Sequence, residues 1–390
     1  MQGFLPTGGR QGSLAGPAGA AAGVPNVVDG APAGPTMAGD IQSEDSMPEH
    51  EAPLAFVTGA TGMIGSHVAR RLLDEGWRVR ALVRPTSDTA LLTEWGVELV
   101  EGDVGDPAGA MTPHLDDADY VFHCAALVSD WARLEDMVRV NVEGTRHLAE
   151  AAIACGRLRR FVYLSSMVVF GMQVQRDLDE SAPVIHTGDN YNVTKIRAED
   201  VVQRFISERG LNAVILRPPY VYGPRDRQVL PRVLGNVKDG QFKFIGSGRK
   251  PMSLVYVGNL AEALYRAAIE PQAVGEVFLV TNGDDITRER LVEIICEETG
   301  FAMPSVHVPG WLVRMVCPLF EGLYALRRGG EPPLVNKMRV KFMTVPLTYR
   351  IDKARRLLRY EPRGSTEETL RETLAWFREH RPDLMPDGEA

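Results

Sequence analysis

A glycine-rich turn between a short apolar run and an amphipathic segment constrains this chain more than any other feature. The motif T-G-A-T-G-M-I-G covers residues 58–65 and directly follows the apolar run 55–57. After the turn, Ile64, Val68 and Leu72 lie one helical turn apart on one face, as expected of an amphipathic helix. A strand, a turn with three glycines and a helix predict the first βαβ unit of a dinucleotide-binding fold.

Each glycine of this turn has a separate predicted role. Gly59 permits the tight turn, Gly62 lets the backbone approach a pyrophosphate, and Gly65 lets the helix pack closely on the strand. The phosphates would then lie at the amino end of the helix, where free N–H groups and the helix dipole favour negative charge. The cofactor-binding residues predicted from this turn are Gly59, Thr61, Gly62, Met63, Ile64 and Gly65.

Short apolar or β-branched runs alternate with longer amphipathic ones after Leu54. Strands that are separated by helices form right-handed βαβ units in a parallel sheet. The sequence therefore predicts an α/β protein, a doubly wound parallel-sheet Rossmann fold with a smaller C-terminal substrate lobe. The predicted strands are Ala55 to Val57, Arg78 to Arg84, Val97 to Val100, Asp119 to Phe122, Phe161 to Leu164 and Ala213 to Leu216, and two long helices are predicted near 131–155 and 190–209.

The domain boundaries follow from composition and from the regularity of this alternation. Residues 1–52 contain 25 Gly, Ala or Pro and no hydrophobic period, which predicts a disordered tail. An NAD(P)-binding domain is predicted over residues 53–225, with 252–282 returning to it. A substrate-binding lobe is predicted over the remaining segments, residues 226–251 and 283–382.

Charge and cysteine usage exclude several classes of protein. The net charge is −8, which provides no basic surface for nucleic acid. The four cysteines form no C-x-x-C pair and no Cys/His cluster, so no metal site is predicted and a cytoplasmic location is the default. The apolar stretch Trp311 to Leu326 is interrupted by charges and falls short of the ~20 apolar residues that a spanning helix needs. We therefore predict no transmembrane segment.

Residues after the second, third and fourth predicted strands indicate how a dinucleotide would bind. The second strand ends at Arg84, where an arginine suits a 2′-phosphate, so NADP(H) is preferred over NAD(H). After the third strand, Asp103 and Val104 stand where a carboxylate can accept a hydrogen bond from the adenine amino group, and a simple turn aspartate is the alternative. After the fourth, Ala125 is small enough for a cofactor to pass, and His123 is interpreted as a buried structural histidine.

The catalytic candidate is the motif Y-N-V-T-K on the second long helix. Tyr191 and Lys195 are four residues apart and share a helix face, so the cation is expected to lower the pKa of the phenol. Ser165 and Ser166 end the fifth strand, where a hydroxyl can polarise a carbonyl. A second Tyr-x-x-x-Lys match at Tyr349 lies far past the sheet, before an expected surface helix, and is interpreted as structural.

These motifs occur in the order T-G-A-T-G-M-I-G, F-H-C-A-A, L-S-S-M-V-V-F-G, Y-N-V-T-K and L-R-P-P-Y-V-Y-G-P. In this order the chain resembles the extended short-chain dehydrogenase/reductase family from about Leu54 to about His380. The resemblance implies a Rossmann domain with a substrate lobe, and a homodimer built on the two long helices. It also implies that Ser166, Tyr191 and Lys195 are catalytic, that Lys195 binds the nicotinamide ribose and that Pro218 lies beside the nicotinamide. Asn141 matches a common helix asparagine.

Different parts of the chain resemble different branches of that family. Sugar-nucleotide epimerases and dehydratases usually carry an arginine where this chain has Met252, and Arg249 or Lys250 would replace it only from a shifted position. The following Y-V-G-N-L and the apolar C-terminal stretch, with the P-P-L segment at 332–334, look like 3β-hydroxysteroid dehydrogenases. The L-V-R-P-T-S run at 82–87 looks instead like dihydroflavonol-type reductases.

The sequence therefore predicts an NAD(P)-dependent oxidoreductase that interconverts a secondary alcohol and a ketone on a hydrophobic, steroid-like or dihydroflavonol-like substrate. One alternative is a nucleotide-sugar epimerase or dehydratase of the same family. Another is a cofactor-binding regulatory protein without turnover, which loss of the Ser, Tyr or Lys would have favoured.

Overall fold

The computed structural model describes residues 52–129, 132–171, 173–317 and 337–386. The predicted tail lies outside these residues except for its last position. The second half of the apolar stretch Trp311 to Leu326 and the P-P-L segment at 332–334 also lie outside them.

A seven-stranded parallel sheet forms the centre of the fold. Its strand order is β11-β7-β5-β4-β1-β2-β3, and every neighbouring pair runs parallel. All five residues of β1 are buried, as expected of a central strand that is covered on both faces. The prediction of a doubly wound Rossmann sheet is confirmed. The strands are β1 Leu54–Thr58, β2 Arg78–Val83, β3 Glu98–Glu101, β4 Tyr120–His123, β5 Arg160–Leu164, β7 Ala213–Arg217 and β11 Val277–Leu279.

Two helical layers cover the two faces of this sheet, and alternate residues of β1 point into each. Ala55 and Val57 belong to the core cluster that includes helices α1 and α8, whereas Phe56 packs with α3, α5 and α6. The layers comprise α1 Met63–Asp74 and α8 Val257–Ile269 on one side, and α3 Ala108–Leu115, α5 Gly144–Ala154 and α6 Asn190–Arg209 on the other. The long helix predicted near 131–155 is continuous from α4 Leu134–Met137 through a π-helical turn at Val138–Glu143 into α5.

A second, mixed sheet contains five further strands. Its order is β12-β10-β14-β6, and β8 pairs with β10. Residues 252–282 contribute to both sheets, because they contain most of β10 and all of β11; the domain boundaries themselves stay a prediction. The strands are β6 Gln175–Leu178, β8 Tyr220–Tyr222, β10 Pro251–Tyr256, β12 Asp285–Thr287 and β14 Leu347–Tyr349, with a separate pair of β9 Phe244–Ile245 and β13 His307–Val308.

The remaining helices lie mostly in the C-terminal half of the chain. They are α2 Ala90–Glu94, α7 Leu230–Lys238, α9 Arg288–Thr299, α10 over 310–317, α11 Lys337–Thr344, α12 Asp352–Leu358 and α13 Thr366–His380. A capping box at Ser365 and Glu368 fixes the start of α13. Across the described ranges, every helix is too short or too polar to cross a bilayer.

The chain order of the central sheet reverses between β1 and β4. From β1 the chain proceeds outward through β2 and β3, and it then returns to β4 on the opposite side. In open α/β sheets, ligands bind outside the carboxyl ends of the strands at such a switch point. The segments that follow β1 and β4 are therefore the walls of the candidate site.

Candidate active site

The glycine turn after β1 has the backbone that its sequence predicts. Gly59 adopts φ 72°, which is the left-handed region that favours glycine. A Cβ at Gly59 would lie 2.8 Å from the backbone nitrogen of Ala125, and a Cβ at Gly65 would lie 2.2 Å from the carbonyl oxygen of Gly59. Both positions therefore require glycine, since any side chain would push the turn away from β4 or from α1.

The first turn of α1 presents free backbone N–H groups at the switch point. Gly62 is the exposed N-cap, no side chain caps the helix, and no acidic residue lies in the first turn. Thr61, Met63 and Ile64 are half-buried around this helix end. Unpaired N–H groups and the helix dipole attract an anion here, so the residues present fit the diphosphate of a dinucleotide.

The predicted adenosine-side residues lie at the ends of the next two strands. Arg84 follows β2 directly and is exposed. After β3, the Oδ1 atom of Asp103 accepts hydrogen bonds from the Gly105 backbone N–H at 2.8 Å and from Nη1 of Arg139 at 2.9 Å. Val104 is 8% exposed. The Asp103 carboxylate is thus held in a fixed orientation by its own turn and by the π-helical segment.

His123 at the end of β4 is a buried structural histidine. Its Nδ1 lies 2.8 Å from the Thr58 hydroxyl and its Nε2 lies 2.9 Å from the Thr145 hydroxyl. Burial lowers the pKa of His123 to about 3, with a smaller contribution from the charge of Lys195, so the ring is neutral at physiological pH. The described residues contain no cluster of His, Cys, Asp or Glu that could hold a metal ion.

Ser166, Tyr191 and Lys195 converge at the carboxyl end of β5. The Ser166 hydroxyl lies close enough to the Tyr191 phenol to lower its pKa. Lys195, one turn further along α6, donates from Nζ to the carbonyl oxygen of Leu164 at 2.8 Å. The start of α6 is fixed because the Asp189 carboxylate accepts the Asn192 N–H at 2.9 Å. The structure therefore brings the three predicted catalytic side chains together.

The pKa values of these groups differ from the expectation. Burial raises the pKa of Tyr191 to about 12, and the nearby Ser166 hydroxyl only partly offsets this rise. The prediction that Lys195 lowers the pKa of the phenol is therefore wrong in this structure. Burial lowers the pKa of Lys195 itself to about 8, although Glu199 raises it. Desolvation dominates both values, and it depends on tertiary packing that helix spacing does not reveal.

The two serines at the end of β5 have different surroundings. Ser165 is 3% exposed, and its hydroxyl donates to the carboxylate of Glu199. That carboxylate also accepts from Nε of Arg217 at 2.9 Å. Ser166 is half-buried, and its hydroxyl accepts the Val168 N–H at 3.2 Å. Ser165 is thus committed to a buried ion pair, whereas Ser166 faces Tyr191.

Two further predicted residues fix the walls beside this group. The Pro218 carbonyl oxygen accepts the Met167 N–H at 2.9 Å, which ties the end of β7 to the turn after Ser166. Asn141 accepts the Leu127 N–H at 2.7 Å and donates to the Thr194 hydroxyl at 3.2 Å. Asn141 therefore joins the segment after β4 to α6, next to Lys195.

The second Tyr-x-x-x-Lys match does not form a catalytic pair. Tyr349 ends strand β14 and Lys353 lies in α12, so the two residues do not share a helix. The Tyr349 hydroxyl donates to the side-chain oxygen of Gln175, and burial raises the pKa of Tyr349. Lys353 pairs with Glu276 at 2.7 Å. Tyr349 thus joins β14 to β6, and Lys353 joins α12 to the start of β11.

Two groups that lie beside the site were missed in the sequence. The Glu199–Arg217 pair gave no signal because its partners are separated by 18 residues and meet only through the packing of α6 on β7. Arg225 follows the Y-V-Y-G-P motif, and its Nη2 atom donates to the Thr61 carbonyl oxygen at 3.4 Å. Its position directly after that motif was the one available signal.

A family model described as the NAD dependent epimerase/dehydratase family matches residues 55–281. The chain therefore belongs to this family, whose members are NAD-dependent oxidoreductases or epimerases, and the resemblance inferred from the motifs is confirmed.

Relatives of known name cover most of the chain. A 3 beta-hydroxysteroid dehydrogenase/Delta 5→4-isomerase of Mycobacterium tuberculosis is 31% identical over 83% of this chain and 90% of its own length. A 2-alkyl-3-oxoalkanoate reductase of Stenotrophomonas maltophilia is 30% identical over 82% of this chain and 98% of its own. The crystal structure of gox2253 superimposes with a TM-score of 0.71 at 31% identity, over 84% of this chain and 98% of that one.

Proposed function

We propose that this protein is an oxidoreductase that interconverts a secondary alcohol and a ketone on a hydrophobic substrate by hydride transfer with NADP(H). The observation that carries the proposal is the convergence of Ser166, Tyr191 and Lys195 at the carboxyl end of β5. The glycine turn at the amino end of α1 lies at the same edge of the sheet. A dinucleotide that is held at α1 would extend its nicotinamide toward this group.

Each catalytic side chain has a separate role in this proposal. The nicotinamide, when bound, supplies or accepts the hydride. In the reductive direction Tyr191 donates a proton to the carbonyl oxygen, and its pKa of about 12 keeps the phenol protonated at neutral pH. Ser166 donates a hydrogen bond to the oxygen as negative charge develops on it. Lys195, whose Nζ is fixed on the Leu164 carbonyl, binds the nicotinamide ribose.

The surroundings of Met252 favour a hydrophobic substrate over a nucleotide sugar. Met252 is 4% exposed and packs in the core, so it provides no charge for a diphosphate. Arg249 pairs with Glu289 at 3.1 Å, and its side chain is 78% exposed. The names of the two relatives above refer to a hydroxysteroid and to an oxoalkanoate with an alkyl group, and neither name refers to a nucleotide sugar.

The substrate proposal is tested by the nicotinamide absorbance of purified protein with four panels of compounds. Steroid-like alcohols and ketones, flavonoids and long-chain 3-oxo compounds should change the absorbance, whereas nucleotide sugars should leave it unchanged and give no epimer. An epimerised or dehydrated nucleotide sugar at steady turnover would reject the proposal in favour of the epimerase alternative. Met252→Arg serves as a matched variant, and nucleotide-sugar affinity that appears only in this variant would support the proposal.

Arg84 is expected to set the preference for NADP(H). Its exposed guanidinium directly follows β2, where it can pair with a 2′-phosphate. Arg84→Asp should weaken NADPH binding by about 10- to 100-fold and NADH binding much less, because repulsion replaces a charge-assisted contact. Titration of the quenching of intrinsic fluorescence by each cofactor measures both affinities.

Arg356→Asp is the control for the Arg84 variant, since Arg356 is an exposed arginine on the distant helix α12. Its affinities for both cofactors should match those of the wild type. Tighter binding of NADH than of NADPH by the wild-type protein would show the NADP(H) preference to be wrong.

The quaternary structure and the location are part of the same proposal. The helical segment 134–154 and α6 pack against each other, and we expect a second copy of the chain to dock on these two helices. Sedimentation that gives the mass of a single chain would contradict the dimer. The cytoplasmic location likewise stays a prediction.

A further inference from the structure

The loop between β8 and α7 is held in one conformation by a buried carboxylate. Asp226 accepts hydrogen bonds from the Tyr220 hydroxyl at 2.6 Å and from the Leu230 N–H at 2.9 Å, and it also accepts the Gln228 and Val229 N–H groups. Before it, Gly223 packs so tightly that a Cβ would lie 2.4 Å from Cγ1 of Val257. The residues between these two anchors therefore have little freedom.

Arg225 lies between the two anchors and has an unfavourable backbone conformation. Its φ is 68°, in the left-handed region that residues with a Cβ rarely adopt. The described residues contain two other such positions, Asp177 and Arg359, and Arg359 simply terminates α12. A strained residue that the surrounding structure holds in place is often found at a functional site. With this backbone conformation, the Arg225 side chain reaches the glycine turn.

The guanidinium of Arg225 reaches that turn with unused hydrogen-bonding capacity. Nη2 donates to the Thr61 carbonyl at 3.4 Å, whereas Nη1 is buried and has no hydrogen-bond partner among the described residues. Two buried arginines, Arg160 and Arg288, have an unpartnered buried nitrogen only at Nε, and Nη1 of each donates to a backbone carbonyl. Of these three arginines, Arg225 is therefore the one with a buried terminal nitrogen, Nη1, that has no partner among the described residues.

The electrostatic surroundings of Arg225 favour an anion as that group. Burial lowers the pKa of the Arg225 guanidinium, the nearby charge of Arg227 lowers it further, and Asp88 partly compensates. Burial also lowers the pKa of His67 on α1, and Arg225 adds to this effect, which puts the guanidinium close to the same helix. The free N–H groups at the start of α1 contribute further positive potential. A half-buried cation without a carboxylate in contact is stabilised by an incoming negative charge.

We propose that Arg225 binds a phosphate group of the dinucleotide cofactor, opposite the amino end of α1. This inference rests on the dinucleotide binding in the proposed function. A planar guanidinium can donate hydrogen bonds to two phosphate oxygens at once, whereas the ammonium group of a lysine acts as a point charge. The phosphate group belongs either to the diphosphate, which the glycine turn faces, or to a 2′-phosphate. The second alternative arises because Asp88, whose charge acts on Arg225, lies on the segment after Arg84, the residue proposed to bind a 2′-phosphate.

Binding titrations of NADH and NADPH to Arg225→Gln test the inference without any substrate. We expect an affinity loss of about 10- to 100-fold, as for a lost charge-assisted hydrogen bond. An equal loss for both cofactors assigns Arg225 to the diphosphate, and a loss confined to NADPH assigns it to the 2′-phosphate. Arg225→Lys should retain only part of the affinity, because it keeps the charge but not the fork.

Arg227→Gln is the matched control, since Arg227 is an exposed arginine two residues away. It removes the same charge from the same loop, and its affinities should stay within about twofold of the wild type because solvent screens it. Arg225→Asn guards against a folding defect, since asparagine tolerates the left-handed backbone. Its thermal midpoint without cofactor should not fall, while its cofactor affinity should fall as in Arg225→Gln.

Two results would overturn the inference. One is an unchanged affinity of Arg225→Gln for both cofactors, and the other is an equal loss in Arg227→Gln, which would indicate a long-range charge effect in place of a contact. These outcomes differ from failure of the proposed function. A wild-type protein that binds a cofactor but reduces no hydrophobic ketone rejects the function alone, whereas a wild-type protein that binds neither cofactor rejects both.

Discussion

Tyr191→Phe should lower turnover by about 10²- to 10⁴-fold, the range that one positioned acid or base contributes. The substitution removes the hydroxyl that lies near Ser166 and keeps the ring that fills the same space. Cofactor affinity should therefore remain close to that of the wild type. Steady-state rates with a substrate found in the panels, together with a separate cofactor titration, distinguish the two effects.

Tyr349→Phe is the matched control for this prediction. It removes the other tyrosine hydroxyl that a Tyr-x-x-x-Lys spacing singles out, and that hydroxyl donates to Gln175 between strands β14 and β6. The expected cost is about 1 kcal/mol of stability, the net value of one hydrogen bond, with little change in turnover. If Tyr349→Phe reduced turnover more than Tyr191→Phe, the choice of motif would be wrong.

The central sheet and the glycine turn were predictable because local backbone rules determine them. Gly59 and Gly65 are required by contacts with Ala125 and within the turn itself, so the motif alone carries the information. Apolar runs with helices between them can be recognised in a sequence without knowledge of the tertiary contacts. Such runs form the strands β1, β2, β3, β4, β5 and β7.

The second sheet was not predictable from the same patterns. Its strands β6, β8, β12 and β14 have three or four residues each, which is too short for a periodic signal. Tyr349 shows the consequence. The sequence correctly predicted a helix after it, now α12, but assigned no strand to Tyr349, because β14 exists only through pairing with β10 and with the distant β6.

The sequence indicated which residues form the candidate site, but it did not indicate their pKa values. Helix spacing predicted that Tyr191 and Lys195 share a face, the strand end indicated Ser165 and Ser166, and the family resemblance chose Ser166. The pKa values of Tyr191 and Lys195 depend instead on burial, which shifts both away from the charged form. Arg225 was missed for a related reason, since it meets Thr61 across 164 positions of the chain and only because of its left-handed backbone.

The buried pair of Glu199 and Arg217 carries the second large prediction. The two side chains are 4% and 5% exposed, and Nη2 of Arg217 lies 2.5 Å from Oε2 of Glu199. Glu199→Leu should destabilise the protein by about 3–5 kcal/mol, because it leaves a guanidinium buried without a counter-charge. Urea unfolding of the cofactor-free protein measures this loss.

The double variant Glu199→Leu/Arg217→Met distinguishes two contributions to the free energy of unfolding. One is the loss caused by a buried, unpaired Arg217, and the other is the net stabilisation by the ion pair. It replaces both ions by apolar groups of similar size, and such replacements are often nearly neutral, so it should recover most of the stability that the single variant loses. Ser165 loses its acceptor in both variants, and the ~1 kcal/mol that this hydrogen bond contributes should persist as the residual difference from the wild type. A double variant as unstable as Glu199→Leu would show instead that the pair itself, and not the unpaired arginine, accounts for the loss.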